Sequence, residues 1–192
     1  MSMKLRHAAA LALVGWYLVA PSRPLSAEIY KLAIPSDRGF KLCWWPQLQV
    51  PDGWVHDEGT SRSSCSNVLV PKGQSFAQAP AVMYGRALYK PRIPETRSLD
   101  QLISGDKREF QKDLPGIVIL PLSALKNGDG RSLRCFSYSP PQSGKGSWEW
   151  TAYSEEGDFY LIFVLSANSE AALRTALPAF RRLIVTYKEK ES

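Results

Sequence analysis

Apolar and polar residues alternate at Phe40-Lys41-Leu42-Cys43-Trp44, a two-residue period that predicts a strand. Val50-Pro51-Asp52-Gly53-Trp54 then reads as a turn, because Pro and Asp-Gly supply its backbone geometry. A polar stretch from Asp57 to Ser64 leads into a short strand at Asn67 to Val70, and Pro71-Lys72-Gly73 turns the chain again. Ala81 to Tyr89 predicts a third strand, ended by Pro91 and Pro94. Four more strands are expected later, at Gly116 to Leu122, Ser132 to Ser139, Gly146 to Tyr153 and Asp158 to Ser166. The segments 127–130 (Asn-Gly-Asp-Gly) and 155–158 (Glu-Glu-Gly-Asp) lie between them as hairpin loops.

Phe159 to Leu165 is almost wholly apolar and predicts a central strand. Trp148, Trp150 and Ala152 alternate with Glu149, Thr151 and Tyr153, which predicts a strand with one wet face. In the strand before it, Leu133 and Cys135 share one side while Arg134, Phe136 and Tyr138 face the other.

Two segments change period from two to about 3.6. In the first, Ser98 to Leu114, the residues Leu99, Leu102, Ile103, Phe110 and Leu114 form one stripe. Ser98 and Gln101 make a capping box, Asp100 suits the positive helix start, and Pro115-Gly116 stops it. The second runs from about Ser169 into the 180s, with Leu173, Leu177, Phe180, Ile184 and Tyr187 as its apolar stripe. Pro178 is expected to kink it or start a new turn, having no N–H to donate. The fold class that follows is α+β, a central antiparallel sheet of about six to seven strands covered by two main helices.

The N-terminus has a different character. Lys4 and Arg6 precede the uncharged run from Ala8 to Ala20, Pro21 to Pro24 break it, and Leu25-Ser26-Ala27 ends in a small residue. These are the three parts of a secretory signal, so residues 1–27 are expected to be removed and 28–192 to form a single exported domain. The apolar run covers only about 20 Å as a helix, too short for a ~30 Å hydrocarbon core, which disfavours the alternative of an uncleaved anchor. Membrane contact is expected only through the signal before cleavage.

Removal of the leader changes the charge. It holds three of the 24 Lys and Arg and none of the 18 acids, so the remaining domain has 21 basic against 18 acidic groups, a net charge of +3. That excess is thinly spread and gives nucleic-acid binding little support. Three cysteines stay behind. Cys43 and Cys65, 22 positions apart, are the natural disulfide pair in an oxidising compartment, while Cys135 reads as a buried small hydrophobe.

The order of these elements resembles the PsbP-like superfamily, which includes the PsbP accessory proteins of photosystem II and the DcrB-like periplasmic proteins. The resemblance rests on the turn Pro51-Asp52-Gly53-Trp54, the helix opening Ser98 to Leu102 and the ending from Phe159 to Tyr187. It covers most of residues 40–188 in order and spacing, with identity only in short motifs. It implies an α/β sandwich and accessory or assembly roles without catalysis, and it brings no functional residues with it. The polar segment 57–64, the Cys43/Cys65 pair and the Trp44-Trp45 doublet depart from the pattern.

Candidate chemistry is sparse. His56 is the only histidine outside the leader, and a zinc site or hydrolase triad draws on more partners than it has nearby in sequence. Ser-x-x-Lys occurs at Ser104/Lys107 and Ser123/Lys126, without the Lys-Thr-Gly element that accompanies it in serine acyl-transferases. The segment 143–147 (Ser-Gly-Lys-Gly-Ser) lacks the frame of a phosphate loop and reads as a flexible turn. Glu155, Glu156 and Asp158 match no calcium loop. No catalytic residue, metal site or cofactor is assigned.

Five tryptophans, Trp44, Trp45, Trp54, Trp148 and Trp150, are many for one small core. Packing under the two helices is the first expectation for them, and a partner or ligand surface formed by these five residues is the alternative. The leading expectation is therefore an exported accessory or binding protein, periplasmic or secreted, that engages an envelope protein through loops and aromatics. The alternatives are an exported hydrolase built around Ser123 or His56, and a small-molecule or lipid carrier using a sheet–helix cleft.

Overall fold

A computed structural model describes residues 29–36, 39–141 and 146–188, so the expected signal peptide and most of the turn at 143–147 lie outside the described residues. The strands are β1 (Ile29–Ser36), β2 (Gly39–Pro46), β3 (Trp54–His56), β4 (Asn67–Pro71), β5 (Ala81–Tyr89), β6 (Val118–Lys126), β7 (Ser132–Ser139), β8 (Trp148–Glu156) and β9 (Phe159–Ala167). The helices are α1 (Glu58–Ser64), α2 (Leu99–Asp113) and α3 (Glu170–Thr186). β1 and β2 form a separate antiparallel hairpin, and the other seven strands form one sheet in the order β3-β4-β5-β9-β8-β7-β6. Every pairing is antiparallel. The class is α+β, as the sequence predicts.

The central position of β9 follows from its composition. Tyr160 to Leu165 are all buried, because both faces of that strand are covered. On one face Leu161, Phe163 and Leu165 join Leu69, Met83, Leu133, Cys135 and Ala152 against α3, which contributes Leu173, Ala176, Phe180, Leu183 and Ile184. On the other face Tyr160, Ile162 and Val164 join Phe136, Tyr138 and Tyr153 against Leu102 and Ile103 of α2. The caps are those of the sequence: the hydroxyls of Ser98 and Ser169 accept from the backbone N–H groups of Gln101 and Ala172. A single helix continues through Pro178.

The hairpin packs on the α3 side of the sheet. Gly85 of β5 makes room for it, since a Cβ there would lie 3.0 Å from Pro46 and 3.3 Å from Leu48. The Asn67 side-chain amide donates to the carbonyl of Pro46 at 3.0 Å, and the Cys43–Cys65 disulfide ties β2 to the end of α1 with a Cα–Cα distance of 5.2 Å. Cys135 is free and buried.

Two sequence readings need correction. The polar stretch 57–64 contains α1, because Asp57 caps it through the Thr60 N–H at 2.9 Å and Cys65 ends it in a left-handed conformation. The expected wet face of β8 is instead packed under α2, with Thr151 and Tyr153 buried. Alternation placed these side chains together correctly, but it carried no information about which face a helix would cover.

Candidate functional site

Glu149, Thr151 and Tyr153 project from β8 toward α2, and Tyr84 and Arg86 do the same from β5. The strand between them, β9, holds these groups in rows. Tyr84 and Thr151 both lie opposite Val164, Arg86 and Tyr153 both lie opposite Ile162, and Glu149 lies opposite Ser166. Asp106, Glu109, Phe110 and Asp113 reach the same space from α2, at the three- and four-residue spacing of one helix face. Together they line a cavity of about 210 Å³ between helix and sheet.

The cavity is polar where a core would be apolar. Glu149 accepts from the Ser166 hydroxyl at 2.9 Å through one carboxyl oxygen, while its buried second oxygen has no protein partner. The buried Arg86 Nε and Thr151 Oγ1 also lack protein partners, and Thr151 is only 3 % exposed. Burial pushes the Glu149 carboxyl up, partly offset by the Ser166 hydrogen bond and the Arg86 charge. Burial likewise raises Asp106, with Arg86 opposing. The Tyr138 and Tyr153 hydroxyls meet at 3.0 Å, and burial pushes Tyr138 up to about 12 and Tyr153 higher still. The tyrosines are therefore neutral hydrogen-bonding groups at any ordinary pH.

The five tryptophans are divided between core and surface. Trp45 is 8 % exposed and meets the His56 ring edge-on at 6.3 Å. Trp44 is half-buried; its ring lies 5.3 Å from Tyr89, and Arg92 sits 4.7 Å over it. These residues, with Leu42, Ile93 and the disulfide, line a second cavity of about 230 Å³. Trp54 is half-buried in β3 at one sheet edge. Trp148 and Trp150 are half-buried on the α3 face, where Arg181 lies 5.3 Å over the Trp150 ring.

A strip near the opposite sheet edge extends this last surface. Leu120 of β6 lies opposite Ser137 of β7, which lies opposite Trp150 of β8. Residues directly opposite in an antiparallel pair share a face, so Leu120 and Trp150 flank the small Ser137. Leu120 is 54 % exposed and Val118, two positions earlier on the same face, is 48 % exposed. Sequence reasoning did not single out Val118 or Leu120; a strand's apolar pattern does not distinguish an edge from an interior position.

The candidate catalytic residues are not brought together. Ser123 is exposed on β6, beside a register shift between Leu122 and Leu125. His56 Nε2 lies 3.0 Å from Ser61 Oγ. That hydroxyl donates to the Asp57 carbonyl at 2.6 Å and accepts from the Val68 N–H at 2.8 Å. Its only hydrogen is thus engaged, so His56 Nε2 is the donor in their contact. Ser61 is fully buried and hydrogen-bonded, a structural serine rather than a nucleophile. Among the described residues no group of three or more His, Cys, Asp or Glu side chains is arranged to hold a metal ion, and no helix is long and apolar enough to cross a membrane.

No protein-family profile and no curated protein sequence matches the chain. Among solved structures it is similar to the crystal structure of PA94 from Pseudomonas aeruginosa, a protein of unknown function for which a regulatory role is suggested. The TM-score is 0.50 at 14 % sequence identity, over 88 % of this chain and 100 % of that one. The likeness is one of fold.

Proposed function

We propose that this chain is an exported, non-catalytic accessory or binding protein of the cell envelope, of the PsbP-like kind, whose partner docks on the strip formed by Val118, Leu120, Trp148 and Trp150. The observation that carries this reading is the exposure of Leu120 on the edge strand β6, across the small Ser137 from Trp150. Large apolar side chains gathered at a sheet edge are an association surface, with half-buried aromatics as anchors and Arg181 at the rim. Export is supported by the leader-like N-terminus and by the Cys43–Cys65 bridge, which an oxidising compartment maintains. The buried state of Ser61 and the exposed, unassisted position of Ser123 favour binding over hydrolysis.

A photo-reactive amino acid at position 118, in the same strip, tests the reading in the native host. The expected result is a cross-link to one envelope protein, lost at least tenfold in Leu120→Glu with an unchanged circular dichroism spectrum. Ser123→Ala and His56→Ala should leave the cross-link and the biological phenotype intact. A Ser123→Ala or His56→Ala protein that keeps its spectrum and its cross-link but loses the phenotype would establish an enzyme instead.

A further inference from the structure

The cavity under α2 lies on the face of the sheet opposite the proposed docking strip and is independent of it. Three of its buried polar atoms lack protein partners, and they differ in kind. Arg86 Nε is a donor, the second Glu149 oxygen an acceptor, and Thr151 Oγ1 either. Protein interiors leave few such atoms unsatisfied, and a concentration of them in one cavity calls for a ligand or solvent that satisfies all three. A purely anionic ligand would meet Glu149, and a purely cationic one would leave Arg86 unanswered. A molecule with both charges answers each.

The lining charge refines the class. Asp106, Glu109, Asp113 and Glu149 face one guanidinium, that of Arg86. Glu109 and Asp113 are exposed on α2 and form the mouth, so a second positive group on the ligand would be held there. The volume of about 210 Å³ is below the ~300–1,000 Å³ of drug-sized pockets and suits a molecule of amino-acid size.

We propose that this cavity binds a free basic amino acid, with its carboxylate toward Arg86 Nε, its α-ammonium toward the unpaired Glu149 oxygen and Thr151 Oγ1, and its side-chain cation among the carboxylates of α2. Glu149 is ionised in the bound state, because the ammonium supplies the opposite charge that the enclosed carboxyl otherwise lacks. The site is a binding site only, and no bond is made or broken in it.

Isothermal titration of the purified domain at pH 7 with L-lysine is the test, with L-glutamate and putrescine as single-feature controls. The expected result is saturable one-to-one binding of L-lysine, at least tenfold tighter than either control. Glu149→Gln and Arg86→Met should each weaken it at least tenfold. Asp113→Asn, at the exposed mouth and without consequence for folding, should weaken it two- to fivefold. Absence of L-lysine binding to the folded wild-type domain would overturn the proposal. So would binding that persists unchanged in all three variants, or putrescine binding as tightly as L-lysine.

Discussion

Glu149 and Ser166 face each other across β8 and β9, and their hydrogen bond of 2.9 Å occupies only one of the two carboxyl oxygens. The other oxygen is buried without a protein partner, so the carboxylate is held in place and incompletely neutralised. A group in that position contributes little to the stability of the fold when it is charged.

Glu149→Gln should therefore stabilise the free protein at pH 7, by about 1 kcal/mol, since it removes an ionisable group whose burial disfavours charge. For a domain of this size that is a rise in Tm of about 2–4 °C. The sign with pH follows from the raised carboxyl. Its folded-state contribution is full below the unfolded value, near 4.5, and is lost as pH rises through the higher folded value. The advantage of the variant should thus shrink toward zero below about pH 4.5. Asp57, lowered chiefly by the Thr60 backbone N–H, acts oppositely and loses its contribution as pH falls through its folded value. Thermal scans of wild type and Glu149→Gln from pH 4 to 8 check this; a variant less stable at pH 7 would contradict it.

Breaking the Cys43–Cys65 bridge should cost about 3 kcal/mol on the chain-entropy model for a loop of this length. The double variant Cys43→Ser/Cys65→Ser is expected to unfold at correspondingly lower urea while keeping its native spectrum. Cys135 should resist alkylation until the domain unfolds, because it is buried and burial pushes its thiol up. Peptide mapping under non-reducing conditions decides the pairing, and a bridge to Cys135 would refute it.

Ser61→Ala should cost about 1–3 kcal/mol, because it leaves the buried Val68 N–H without an acceptor and detaches α1 from β4. His56→Ala, on the exposed side of the same contact, should cost about 0.5 kcal/mol. Equal losses in urea midpoints would mean that the histidine carries the contact. A larger effect of His56→Ala on biological function than on stability would point to chemistry at that residue.

Much of the fold was legible because strands and helices write different periods into the chain. Phe159 to Leu165, with no polar face, had to be covered on both sides, and it is the central strand β9. Ser98 and Ser169 marked both long helices before any packing was known, since an N-cap is a local interaction. Asn127 likewise closes its turn locally, its side chain accepting from the backbone of Asp129 and Arg131. Helix α1 escaped the reading because it has no apolar stripe; one cap, one disulfide and the buried Ser61 hold it. The N-terminal strand β1 escaped too, although Tyr30, Leu32 and Ile34 alternate with Lys31 and Ala33.

The candidate sites divide in the same way. The sequence by itself determined that Glu149, Thr151 and Tyr153 share one face of a strand, and that Trp148 and Trp150 share the other. It also determined the pair of cysteines free to bridge and the scarcity of histidine. Only the tertiary structure decided that α2 covers the Glu149 face, that Arg86 arrives there from β5 across an intervening strand, and that Leu120 ends up on the edge strand, across Ser137 from Trp150. The physical reason is range. Periodicity and capping are set by neighbours within one turn or one strand, whereas burial depends on which distant segment packs on top. A carboxylate on an alternating strand looks solvated until a helix is laid over it.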